Sequence, residues 1–180
     1  MASRRAQSSA KATPGSQRHR SADLNFAAST TRNQNKLSLL RSSFKRITEQ
    51  SQITGLIFYQ KLFASEPSLK RLFHTSIELQ TRKLMESLGH TVAGLEKPKK
   101  LVPVLEAMGR RHVTYGVRND DYDLLIKALL ETFKEVLGKA FTPALHQAWD
   151  EALCFVATTM KQGAAKASPR MSCTARPNNP

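Results

Sequence analysis

The chain has 180 residues, 40 % of them hydrophobic, which suffices for one domain with one core. It lacks the apolar run of about eighteen residues that a membrane span requires. Its N-terminus also lacks the apolar stretch of a secretory signal. The formal net charge of +14 is concentrated at the ends, because residues 1–36 carry seven basic side chains against one acidic one and residues 161–180 carry four basic and no acidic side chains. This distribution argues against a nucleic-acid-binding fold, which would place the positive charge on one structured face.

The two ends differ in composition from the middle of the chain. Residues 1–35 are rich in Ser, Ala and Arg and hold few large apolar side chains, which predicts a disordered basic tail. Residues 163–180 contain three prolines and predict a second disordered basic tail. We therefore expect one folded domain over residues 36–162. A cytoplasmic location is expected, with targeting to an organelle through the Arg- and Ser-rich N-terminal tail as the alternative.

From residue 36 onward the apolar residues recur with the period of an α-helix. The first apolar stripe comprises Leu37, Leu40, Phe44 and Ile47. A second, denser stripe comprises Ile53, Leu56, Ile57, Phe58, Leu62 and Phe63. Pro67 then predicts the end of this long helix and the start of a short one that leads to Phe73.

The next two helices are marked by their ends. Leu84, Leu88 and Val92 indicate a third long helix that ends near Gly94. Pro98 opens another, which places Leu101, Leu105, Met108 and His112 on one side and ends at Gly116. Because Pro103 interrupts this segment, we expect the regular helix to begin only there.

Capping signals delimit the last two predicted helices. The run Asn119–Asp121 precedes an apolar stripe over residues 122–137, and Gly138 ends it. Thr142 and Pro143 form a strong start signal for a final helix, which contains Trp149, Leu153, Val156 and Met160. No segment alternates with a period of two, so the sequence predicts an all-α domain of six or more helices.

His112 is the residue that most suggests chemistry. It shares the apolar side of its helix with Leu105 and Met108, so its imidazole is expected to be buried. A buried neutral histidine needs a hydrogen-bond partner, and an imidazole aimed into an apolar slot is also what a haem iron requires. Taken alone, the position of His112 leaves both interpretations open.

Several separated motifs resemble the bacterial haemoglobin and flavohaemoglobin family of globins over residues 36–162. They are Phe58–Phe63 leading into Leu69–Phe73, Arg110–Val117 followed by Asp120–Tyr122 and Ala128–Phe133, and Leu137–Pro143 followed by Trp149. The resemblance implies the globin fold, a three-over-three helical sandwich. It also implies one bound haem b.

The resemblance implies roles at the matching positions. His112 would be the proximal ligand of the haem iron, and Phe73 would wedge against the porphyrin. Tyr122 would form a hydrogen bond near the proximal imidazole. The other residues implied to contact the haem are Leu84, on the distal side, Leu105 and Val117.

On the distal side the resemblance implies two hydrogen-bond donors. Tyr59 matches the tyrosine that donates to a bound gas, which carries partial negative charge. Gln80 matches a distal glutamine, which would be a second donor or a gate. In flavohaemoglobins a glutamate of the last helix completes the proximal arrangement, but the matching position here falls at about Ala164 and no acid follows Glu151. We therefore expect a weaker push of electron density onto iron.

The resemblance implies binding of dioxygen, nitric oxide and carbon monoxide, for oxygen storage, transport or nitric oxide scavenging. Flavohaemoglobins convert nitric oxide to nitrate with their own reductase domains. This sequence shows no Gly-rich dinucleotide-binding motif, so a nitric oxide dioxygenase or nitrite reductase activity would need an external reductase. A haem-based gas sensor that acts through a partner is a further alternative, and a homo-oligomer stays open.

Overall fold

The computed structural model describes the backbone of residues 15–167 and the side chains of residues 32–166. All regular elements in this part of the chain are helical, which confirms the predicted all-α class. The elements are α1 (Gly15–Glu49), α2 (Ser51–Ser65), a 3₁₀ segment (Pro67–Leu72), α3 (Ile77–Gly94), α4 (Pro98–Thr114), α5 (Asp121–Leu137), a second 3₁₀ segment (Gly138–Ala140) and α6 (Pro143–Ala167). Among the described residues, no helix has the length and apolarity needed to cross a membrane.

The ends of the helical region differ from the sequence prediction. The disordered N-terminal tail was predicted to reach residue 35, but α1 begins at Gly15. Residues 16–35 contain no proline or glycine and include several alanines, so nothing in them breaks a helix. The chain forms two compact units, residues 1–35 and residues 36–180, and the second contains the predicted domain. At the other end α6 continues to Ala167, past the predicted boundary at 163. Residues 1–14 and 168–180, and the predictions for them, lie outside the described residues.

Most of the residues predicted to begin or end a helix do so in the structure. The Thr142 hydroxyl accepts a hydrogen bond from the backbone N–H of Leu145 at 3.3 Å, and Pro143 is the first residue of α6. Gly138 follows α5 with a positive φ of 53°, the conformation that favours glycine. The acidic cap of α5 is different, because Asp120 makes no capping side-chain bond.

Pro103 does not delay the start of α4, contrary to the expectation. The helix begins at Pro98 and runs through Pro103 without ending. A proline at this position removes the hydrogen bond to the carbonyl of Lys99. Both Pro103 and Lys99 are exposed, so water can satisfy that carbonyl.

The core of the second unit centres on Trp149 of α6, which is 1 % exposed. Its indole N–H donates to the Ser43 hydroxyl of α1 at 3.0 Å, and its ring centroid lies 4.6 Å from that of Phe133 in α5. The prediction for the stripe of α2 was partly wrong. Phe58 and Leu62 are buried, but Ile53 and Leu56 are more than half exposed.

Two helix crossings are unusually close, and each one depends on glycine. A β-carbon at position 55 of α2 would lie 2.0 Å from the hydroxyl of Thr81 in α3. A β-carbon at position 109 of α4 would lie 1.9 Å from the carbonyl oxygen of Met160 in α6, and one at position 163 would lie 2.2 Å from the carbonyl oxygen of Glu106. The crossing of α4 and α6 is therefore close from both sides, and it fixes the helix that carries His112.

Candidate functional site

His112 lies in the last turn of α4, and its imidazole is only partly accessible. Its Nδ1 lies 2.8 Å from the backbone carbonyl oxygen of Met108, one helical turn earlier. A carbonyl oxygen can only accept a hydrogen bond, so Nδ1 carries the proton. The lone pair of the neutral ring is then on Nε2, the nitrogen that remains free to bind a metal ion.

The electrostatic surroundings favour this neutral form of His112. Burial lowers the pKa of the imidazole, because a charged ring would lose hydration. The bond to the Met108 carbonyl raises this pKa and the nearby Arg111 guanidinium lowers it, but burial is the largest effect. A neutral imidazole with its second nitrogen bonded to a carbonyl is the form found in haem proteins with a histidine ligand.

Tyr122 lies beside His112, and the two side chains stack without a hydrogen bond between them among the described contacts. The two ring centroids are 6.2 Å apart with an angle of 29° between the planes. The turn that positions Tyr122 is fixed by the buried carboxylate of Asp121, which accepts from the backbone N–H of Arg118 at 2.8 Å. Burial, and then the charge of Asp121, raise the pKa of Tyr122, so its phenol stays protonated.

Two apolar residues of the predicted haem environment belong to the same region. Leu105, two helical turns before His112, is 1 % exposed. Val117 is half-buried, and its backbone N–H donates to the carbonyl oxygen of His112 at 3.1 Å. His112, Val117 and Tyr122 therefore lie where α4 ends and α5 begins, and Leu105 lies two turns earlier in α4.

The predicted distal tyrosine belongs to an aromatic cluster. The ring of Tyr59 lies 5.3 Å from that of Phe73 and 5.7 Å from that of Phe63, centroid to centroid. Phe63 and Phe73 are in turn 5.4 Å apart, edge to face. The structure thus brings together the two residues, Tyr59 and Phe73, that the resemblance assigns to the haem pocket from α2 and from the corner after the short helix.

The hydroxyl of Tyr59 is a hydrogen-bond donor with no protein partner among the described residues. The side chain is 4 % exposed, and burial raises the pKa of its phenol, so the proton stays on the oxygen. None of the fully buried polar side-chain atoms in the described part lacks a partner, so this hydroxyl borders accessible space. It is therefore available as a hydrogen-bond donor.

Gln80 is not joined to Tyr59 in this structure. Its side-chain amide donates to the Thr75 hydroxyl at 2.7 Å, in the segment before α3, and the residue is half-exposed. The Ser76 hydroxyl caps the same helix start by accepting from the backbone N–H of Leu79 at 3.3 Å. Leu84, one turn after Gln80, is half-buried and packs against the core. The hydrogen bond to Thr75 orients the Gln80 side chain towards the segment just before α3.

One feature of the site, the position of Lys161, has no counterpart in the sequence prediction. Lys161 of α6 lies over the ring of Tyr122, with its Nζ 5.7 Å from the ring centroid. Ala164, at the position of the family's glutamate, is buried. A separate cavity of about 480 Å³ opens between α1, α2 and α3 and is lined by Phe44, Leu56, Met85 and Arg82 among others, but by none of the predicted site residues.

The lowered pKa of His112 predicts a pH-dependent stability. The unfolded chain takes up the histidine proton at its ordinary pKa of 6.5, above the pKa of the folded state, so acidification through this range favours unfolding. We expect the haem-free protein to lose more stability between about pH 7.5 and about pH 5.5 than the variant His112→Gln does. Urea unfolding at both pH values measures the difference. Equal losses would mean that His112 is not buried in its neutral form.

This chain is similar in sequence and in structure to known proteins. The family model for globins matches residues 56–160. The flavohemoprotein of Chromobacterium violaceum is 33 % identical over 68 % of this chain and 31 % of its own length, and that of Bacillus subtilis is 28 % identical over 67 % and 31 %. The solved structure of an engineered carbene transferase, a nitric oxide dioxygenase from Rhodothermus marinus, superimposes with a TM-score of 0.65 at 29 % identity, over 73 % of this chain and 92 % of that one. The chain spans about 30 % of the length of the flavohemoproteins it matches.

Proposed function

This chain belongs to the globin family, and on that basis we propose that it binds one haem b and, at the haem iron, dioxygen and other diatomic gases. The observation that carries the proposal is the state of His112. Its Nδ1 proton is engaged by the Met108 carbonyl at 2.8 Å, which leaves Nε2 of a neutral imidazole as a ligand atom. A bound haem would supply the iron at which a gas can bind.

The aromatic cluster of Tyr59, Phe63 and Phe73 supports the same proposal. Phe73 and Phe63 offer an apolar surface against which a porphyrin can pack, and the Tyr59 hydroxyl adds one donor to that surface. Iron-bound dioxygen carries partial negative charge, so a neutral phenol with a firmly held proton is a suitable donor. Such a donor slows the release of dioxygen and favours scavenging over transport.

The direct test is the visible absorption spectrum of protein purified from haem-supplied cells. We expect a haem spectrum in the ferric and ferrous states, with distinct changes on exposure to carbon monoxide and to dioxygen. Loss of the spectrum in His112→Ala would identify the proximal ligand. Protein that stays colourless and takes up no added haem would overturn the proposal.

We expect Tyr59→Phe to speed the release of dioxygen. The variant removes only the hydroxyl and keeps the ring in contact with Phe73. A hydrogen bond to a group that carries charge contributes about 1.5–3 kcal/mol, so the dissociation rate should rise about tenfold or more. Stopped-flow displacement of dioxygen by carbon monoxide measures it.

Carbon monoxide provides the control for this variant. It acquires less negative charge than dioxygen when it binds to iron, so a hydrogen bond from Tyr59 stabilises it less. Its dissociation rate should therefore change much less than that of dioxygen. Equal changes for both gases would indicate a general rearrangement of the pocket instead of a lost hydrogen bond.

A nitric oxide dioxygenase activity is the second candidate, favoured by the likeness to the Rhodothermus marinus nitric oxide dioxygenase over most of that chain. Nitric oxide, dioxygen and one electron combine to form nitrate, and we propose that the electron comes from a separate reductase. Nitric oxide consumption with equal nitrate formation, in the presence of a generic flavin reductase and NADH, tests it. A gas-binding protein without this activity would turn over once and stop in the ferric state.

A further inference from the structure

Lys161 brings a positive charge to the proximal side of the site. Its side chain is 30 % exposed, and its Nζ lies 5.7 Å from the centroid of the Tyr122 ring. The same Nζ lies 3.1 Å from Oδ1 of Asp123, whose side chain is 73 % exposed. Because the ring of Tyr122 neighbours that of His112 at 6.2 Å, the cation is one aromatic ring away from the proposed iron ligand.

No carboxylate of α6 balances this cation. From residue 152 to residue 167 the helix contains no acidic residue. The other lysine of this stretch, Lys166, is paired with Glu106 of α4 at 2.6 Å. The counter-ion of Lys161 is Asp123, whose side chain is more exposed than that of Lys161 and is therefore more strongly screened by water.

We propose that Lys161 is a positioning residue that holds the ring of Tyr122 and, through its charge, favours the ferrous state of the haem bound at His112. Ferric iron carries one more positive charge than ferrous iron. A nearby cation therefore raises the free energy of the ferric form more than that of the ferrous form. This inference rests on the proposed function, because it requires a haem on His112.

The test is the reduction potential of the haem protein, measured in wild type and in Lys161→Gln. We expect the potential to fall in the variant, with a ferrous-to-ferric ratio at fixed potential about threefold lower, or about 28 mV for a one-electron couple. Lys161→Arg keeps the charge and should restore the wild-type value. Asp123→Asn removes the counter-ion and should shift the potential in the opposite direction.

Lys166→Gln is the matched control, since it removes the same charge from the same helix but away from Tyr122. A potential that falls equally in Lys161→Gln and Lys166→Gln would overturn the inference, and so would Lys161→Arg failing to restore it. A haem protein that binds gases normally but has the same potential in all variants overturns this inference alone. A chain that takes up no haem overturns the proposed function together with it.

Discussion

Replacing His112 with alanine is expected to abolish stable haem binding. The imidazole is the proposed ligand of the haem iron, and its Nδ1 bond to Met108 fixes the orientation of the ring. Loss even of such an orienting partner typically lowers metal affinity about 10- to 100-fold, so loss of the ligand itself should cost at least as much. Haem retained after gel filtration, relative to wild type, measures the effect.

Two further results would separate ligand loss from misfolding. Added imidazole should restore the haem spectrum of His112→Ala, because it can occupy the space of the missing ring. His90→Ala removes an exposed histidine of α3 and should bind haem as wild type does. Full haem retention in His112→Ala would contradict the assignment of the proximal ligand.

Gly109→Ala is expected to destabilise the protein and to displace His112. The added β-carbon would meet the backbone carbonyl of Met160 at 1.9 Å, and a backbone carbonyl cannot rotate away as a side chain can. Alanine gains about 1 kcal/mol over glycine in a helix, but overpacking costs about 1–3 kcal/mol or more, so the net change should be destabilising. Urea unfolding measures the free energy, and haem affinity reports the displaced ligand.

Gly89→Ala is the control for this substitution. Position 89 is also within a helix, but there a β-carbon would lie 3.3 Å from the edge of the Phe44 ring, which needs to move only slightly. The gain in helix propensity should leave this variant close to wild type in stability. A Gly109→Ala protein as stable as Gly89→Ala would mean that α4 and α6 do not cross as closely as described.

Features that depend on neighbouring residues could be predicted from the sequence. Thr142 with Pro143, and Gly138, fix helix ends through bonds and dihedral angles within a few residues. The apolar period likewise identified α5 and α6. Apolar character alone does not say which face is inward, however, and for this reason Ile53 and Leu56 were placed in the buried stripe although they are exposed.

Features that depend on contacts between distant segments could not be predicted. Nothing in the sequence pairs Gly109 with Met160 or Lys161 with Tyr122, because these contacts join helices through the fold. The disorder predicted for residues 15–35 followed from the lack of large apolar residues, and it underestimated how well an uninterrupted polar stretch forms a helix. The positions assigned to the haem site came from the family resemblance and not from composition or periodicity.

The two close crossings predict different patterns of substitution among related sequences. At Gly55 the obstacle is the side chain of Thr81, so a larger residue at one position can be compensated by a smaller one at the other, as in Gly55→Ala together with Thr81→Gly. At Gly109 the obstacle is the carbonyl of Met160, which every amino acid possesses. Positions 55 and 81 are therefore expected to covary among descendants that keep this fold. Position 109 is expected to remain glycine without any covarying partner.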